Sequence, residues 1–97
     1  MYFIGGEKMS IQRIGQIVGN FKAGEEILSS IRIKTNNSSL ESIQHLGINC
    51  RTGEKVFINE KLFEIGKTGI LELQDNVNIS SIKFQKDTYA EIDFSYI

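Results

Sequence analysis

Four stretches of the 97-residue chain hold residue types that could do chemistry. Gly66-Lys67-Thr68-Gly69 invites comparison with a phosphate-binding loop. That loop needs a glycine five positions before the second one, and a helix after it, so that backbone N–H groups converge on the phosphates. Here Lys61 occupies the required glycine position, and Ile70-Leu71-Glu72-Leu73, which reads as strand, follows. The stretch is a glycine-flanked turn between strands, in which Gly66 and Gly69 are expected to matter and Lys67 is not.

His45 is the only histidine and Cys50 the only cysteine. Five residues apart on one strand, they fall on opposite faces, which is wrong for a thiolate–imidazole pair. Two such residues cannot complete a tetrahedral zinc site without carboxylate help. Oxygen ligands are better supplied. Asp75, Asn76 and Asn78 share one expected turn, and Asp87, Glu91 and Asp93 gather near the C-terminal end. Such groups can hold calcium on sandwich loops, but neither cluster has the spacing of a defined calcium loop. Glu91 and Asp93 share a strand face, whereas glycoside hydrolysis needs two acids facing each other across a cleft. Platforms for sugar are few: there is no Trp, and Tyr2, Tyr89 and Tyr96 lie towards the ends. Asn36, Asn37 and Asn78 begin Asn-x-Ser triplets, which matter only in a secreted eukaryotic protein. No catalytic, cofactor-binding or metal-ligating residue is assigned, and the chain reads as non-enzymatic.

The elements that would position these residues are mostly strands. With 40% hydrophobic and 24% charged residues the composition is that of a single globular domain spanning residues 1–97. A net charge of −1, with Arg13, Lys34, Arg51 and Lys83 scattered singly, argues against a nucleic-acid partner or a membrane surface. No window of about 18 apolar residues predicts a membrane span. MYFIGGEKMS lacks the basic-then-apolar order of a secretory signal. Isoleucine carries the aliphatic load, and this β-branched side chain suits a pleated sheet.

Tyr2-Phe3-Ile4 reads as an edge strand or a frayed end. Residues 9 to 21 fit either a strand with a bend or a helix: Met9, Ile11, Ile14, Ile17, Val18 and Phe21 have helical spacing, but Gly15 and Gly19 oppose it. From Glu26 to Thr35, Ile27, Ser29, Ile31 and Ile33 alternate with Ser30, Arg32 and Lys34, which predicts a half-buried strand. Leu40 to Ile43 reads as a helical turn or a loop. Gln44 to Cys50 predicts a strand with Leu46, Ile48 and Cys50 inward. Arg51-Thr52-Gly53-Glu54 is a turn. Val56–Ile58 and Leu62–Ile65 form a hairpin about Asn59-Glu60-Lys61. Ile70–Leu73 is strand, and Gln74-Asp75-Asn76 a turn. The inward parity then switches between Val77 and Ile79 and Ile82 and Phe84, which predicts a bulge at Ser80-Ser81. Tyr89 to Ile97 closes the chain with Ala90, Ile92, Phe94 and Tyr96 inward. The fold expected is all-β: an antiparallel, jelly-roll-like β-sandwich of about eight short strands.

Val56-Phe57-Ile58-Asn59 followed by Ile65-Gly66-Lys67-Thr68-Gly69-Ile70-Leu71-Glu72-Leu73 resembles a signature of phage and prophage structural proteins. These are the tail, baseplate or fibre-associated proteins of Gram-positive bacteria. Val77-Asn78-Ile79-Ser80-Ser81-Ile82-Lys83-Phe84 is similar to the strand that follows in that family, and Ile92-Asp93-Phe94-Ser95-Tyr96 to its closing segment. The resemblance runs from about Ile27 to the C-terminus and leaves out residues 1–26. Asn59-Glu60 departs from the expected Asn-Gly, which puts the turn type in question. The resemblance implies a virion structural module without chemistry of its own, made in the bacterial cytoplasm. Its partners would be further copies of itself, other tail proteins, and host-surface groups. The competing expectation is a carbohydrate-binding module with a glycan held by loops 36–39, 51–54 and 85–88.

Overall fold

The computed structural model describes residues 13–96, with the side chains of 75–77 left aside. Tyr2-Phe3-Ile4 and residues 9–12 therefore lie outside the described residues. The elements are β1 (Arg13–Phe21), α1 (Ile27–Thr35), β2 (Ser42–Asn49), β3 (Lys55–Ile58), β4 (Lys61–Glu64), β5 (Ile70–Asn78), β6 (Ile82–Phe84) and β7 (Thr88–Tyr96). They form two antiparallel sheets, one of four strands in the order β1-β7-β2-β5 and one of three in the order β4-β3-β6. The expected all-β, two-sheet architecture is what the chain adopts.

Both sheets and the helix feed one core. Leu46, Ile48, Ile92 and Phe94 come from the larger sheet, Val56, Ile58, Ile82 and Phe84 from the smaller, and Ile27, Leu28 and Ile31 from α1. Residues 13–21 resolve as strand, and Gly15 explains how a glycine-containing strand holds its place. Gly15 pairs with Phe94, and a Cβ built on it would lie 2.4 Å from the Phe94 ring. The ring occupies the space a side chain would take, so the missing Cβ becomes a packing site.

The stretch from Glu26 to Thr35 corrects the sequence reading: it is helix, not strand. Ile27, Leu28 and Ile31 are the buried residues, one stripe at helical spacing, and Ile33, expected inward, is 81% exposed. Leu28 discriminates, because strand parity puts it on the wet side. The ends are well terminated. The Glu26 carboxylate accepts the Leu28 N–H, and Asn36 at φ 55 donates its N–H back to the Arg32 and Ile33 carbonyls. The Arg32 guanidinium reaches the Leu40 carbonyl at 2.8 Å.

Two further expectations change. Gln74-Asp75-Asn76 is not a turn but part of the continuous β5. Ile43 pairs with Val77 and His45 with Gln74, so two residues of β5 stand against one of β2. The turn-forming pair Asp75-Asn76 thus supplies a β-bulge. Conversely, Ser80-Ser81 is not a bulge. It lies between β5 and β6, where the chain leaves one sheet for the other, so the parity switch marks a change of sheet.

The hairpin joining β3 and β4 turns on Asn59 and Glu60, at φ 52 and 68. Two left-handed residues make the mirror-image turn that suits the strand twist, here without glycine. Asn59 compensates by bonding: its Oδ1 accepts the Ser80 N–H at 2.6 Å and its Nδ2 donates to the Asn78 carbonyl at 2.6 Å. Glu60 makes no comparable link, and left-handed backbone costs an L-residue about 1–2 kcal/mol. Glu60→Gly is expected to raise unfolding stability by about 0.5–1 kcal/mol, and Asn59→Gly to lower it by about 1–2 kcal/mol, in urea titrations.

Candidate binding cleft

A cleft of about 440 Å³ opens where the C-terminal end of β2 meets the start of β7. Asn49, Cys50, Arg51, Glu54, Asp87, Thr88, Tyr89 and Glu91 line it. Two of the three loops expected to touch a glycan, 51–54 and 85–88, thus come together. The 36–39 loop contributes nothing to this lining.

The walls are held by backbone bonds. Arg51–Glu54 closes through Glu54 N–H to the Arg51 carbonyl at 3.2 Å, with Gly53 at φ +93 donating to the Ile65 carbonyl at 2.9 Å. Glu54 in turn accepts the Ile65 N–H at 2.8 Å, and Cys50 donates to the Gly69 carbonyl at 2.9 Å. On the opposite side Asp87 Oδ1 accepts the Ala23 N–H and Thr88 Oγ1 donates to the Lys86 carbonyl, both at 2.8 Å. Strand alternation turns Tyr89 and Glu91 outward from β7, and Tyr89 is 63% exposed.

Three carboxylates, Glu54, Asp87 and Glu91, line the cleft together with one guanidinium, Arg51, and the exposed Tyr89 ring. This set can accept and donate hydrogen bonds to a polyhydroxyl ligand and offer it a stacking face. Cys50 is a poor nucleophile. Burial pushes its thiol pKa up, the nearby Glu54 charge adds to this, and Sγ lies 3.8 Å from the Arg51 carbonyl.

The remaining candidates are dispersed. His45 lies on the outer face of the larger sheet with Nε2 3.4 Å from Glu72 Oε2, away from the cleft lining. Asp93 accepts from Gln16 Nε2 at 2.8 Å and borders a separate, shallow cleft of about 320 Å³ with Ile14, His45, Phe94 and Ser95. Glu91 and Asp93 share the outward face of β7 but border different clefts. Among the described residues no group of three or more His, Cys, Asp or Glu gathers as metal ligands would. Tyr96 packs on Phe94, ring centroids 6.0 Å apart, and Tyr2 lies outside the described residues. Glu54 lies in the 51–54 loop already expected to touch a glycan, whereas Asn49 looks in the sequence like an ordinary polar residue at a strand end.

Gly66–Gly69 is a turn leading into β5. The Gly69 N–H is engaged by the Gly66 carbonyl at 3.0 Å, and a strand stands where a phosphate loop has its helix. The two glycines separate here, correcting the expectation that both are needed. Gly69 has φ +75 and a Cβ on it would lie 3.0 Å from the Cys50 carbonyl, whereas Gly66 has open space around it. Gly69→Val is expected to cost about 2 kcal/mol or more in unfolding stability, and Gly66→Val and Lys67→Ala less than about 1 kcal/mol, by thermal and urea denaturation. Compared with protein-family models, curated proteins and solved structures, the chain matches none.

Proposed function

We propose that the chain is a non-enzymatic structural module of phage-tail type, working in a virion by assembling with copies of itself or with other tail proteins. The observation that carries this reading is the edge of the four-stranded sheet. Among the described residues β1 is an edge strand, nine residues long, without proline, and uncharged from Ile14 to Phe21. Ile14 is 81% and Val18 49% exposed along it. Natural edge strands are normally blunted by charge, proline or cover, because unpaired backbone groups recruit a further strand. An edge left open and apolar suits a protein whose work is to be joined. The sequence resemblance to tail and baseplate proteins supports the same reading. Light scattering at high micromolar concentration is expected to give a mass above one chain. A strict monomer that captures no tail protein would overturn the reading.

A second reading, a carbohydrate-binding module, is favoured by one specific observation: Tyr89 stands exposed in a cleft lined by polar groups from two loops. On this reading a surface glycan stacks on the Tyr89 ring and is oriented by Asn49, Arg51 and Glu91. Binding on a glycan array that falls about tenfold or more in Tyr89→Ala, equivalent to about 1.4 kcal/mol, would support it. Unchanged array signals in the variant would remove it.

A further inference from the structure

We propose that two copies of this chain pair β1 against β1, antiparallel, about a twofold axis through Gln16, joining two four-stranded sheets into one of eight. The inference rests on the assembly reading above and goes further by naming the strand, the register and the symmetry.

The register follows from the side chains along β1. Centring on Gln16 sets Ile14 opposite the partner's Val18, Gly15 opposite the partner's Ile17, and Arg13 opposite the partner's Gly19. The first pair joins the two exposed apolar residues of the outward face. In the second, a half-buried isoleucine lies beside a glycine whose side-chain position is filled by the Phe94 ring, so Ile17 extends that ring's apolar surface. In the third, a long side chain meets a glycine with nothing within 4 Å of its Cβ position. Each of these three pairs sets a large residue against apolar surface or empty space, while Gln16 meets its own copy on the axis. Centring on Ile17 instead would place Gly15 opposite Gly19 and Ile14 opposite Asn20, wasting both glycines and leaving Ile14 beside an amide. Cross-strand pairs of this kind are the unit by which sheets are stabilised.

The same geometry limits the strength. Seven paired residues span about 24 Å at about 3.4 Å per residue. A contact of that length falls at the small end of specific interfaces, about 1,000 Å². Within a larger particle such a small contact gains from the other contacts that hold the chains together.

A residue on the twofold axis faces its own copy, which gives a direct test. Paired antiparallel residues have Cα atoms about 4.5–5.5 Å apart, within the range a disulfide spans. Gln16→Cys and Val18→Cys are each made in a Cys50→Ser background and oxidised mildly, with folding checked by circular dichroism. Gln16→Cys is expected to form a disulfide-linked dimer readily. The two Val18 positions lie four residues apart along the strands, about 14 Å, so Val18→Cys alone should not. Val18→Cys mixed with Ile14→Cys should link into a heterodimer. Equal cross-linking of Gln16→Cys and Val18→Cys would mean collision and would overturn the pairing. Self-association of the natural chain without the Gln16→Cys link would overturn this pairing while leaving the assembly reading in place. A chain monomeric at all concentrations would overturn the pairing, and one that also captures no tail protein would overturn the assembly reading with it.

Discussion

The connection Ser80–Ile82 holds the two sheets in their relation, through two side chains from elsewhere in the chain. Asn59, at the tip of the β3–β4 hairpin, accepts from Ser80 N–H, Ser80 Oγ and Ser81 N–H and donates to the Asn78 carbonyl. Glu26, at the N-terminal cap of α1, accepts from Ser81 Oγ at 2.7 Å and Ile82 N–H at 2.6 Å while also capping Leu28. Crossing between sheets leaves backbone N–H groups without ladder partners, and unpaired N–H groups are costly when withdrawn from water. One amide and one carboxylate meet that need. The hairpin tip, the helix start and the crossover are thereby tied to one another.

This constraint explains the positions of the less regular parts. With Glu26 tied to β6, α1 begins against the smaller sheet, and its Ile27, Leu28 and Ile31 stripe enters the shared core. With Asn59 committed to the crossover, the hairpin accepts left-handed backbone at Asn59 and at Glu60, where glycine is the usual residue. The larger sheet is organised differently, by Phe94 lying over Gly15 and by the bulge in β5. Among the described residues its outer strand β1 has a strand partner, β7, on one side only. That asymmetry between a tied interior and an open edge underlies the proposed assembly role.

The candidate cleft depends on the same arrangement at the opposite ends of β2 and β7. Its residues come from segments distant in sequence, brought together because β2 and β7 pair through Asn49 and Glu91. The cleft holds more carboxylates than cations beside one exposed ring. Its one thiol, Cys50, is held protonated by burial and by Glu54, which makes it a poor nucleophile.

Much of the strand content was legible in the sequence, because alternation and turn residues act locally. Leu46 and Ile48, Val56 and Ile58, and Ala90, Ile92 and Phe94 are buried as their parity predicts. Gly53 takes the positive φ expected of its turn. The open Tyr89 and two of the loops around it were also visible as candidates. Three features were not, and each depends on distant partners. The Ile27–Thr35 segment alternates like a strand, yet the core it meets takes a helical stripe including Leu28. Asp75-Asn76 carries turn chemistry, yet pairing with β2 turns it into a bulge. The parity change after Val77 is the same for a bulge and for a change of sheet, and only the ties from Glu26 and Asn59 decide between them. Sequence by itself determined which residues of β2, β3 and β7 seek the interior and that the chain turns at Gly53 and at Asn59-Glu60, because those are preferences of neighbouring residues. Tertiary structure alone decided which sheet each strand joins and which loops meet at a cleft, because those follow from contacts between residues far apart in the chain.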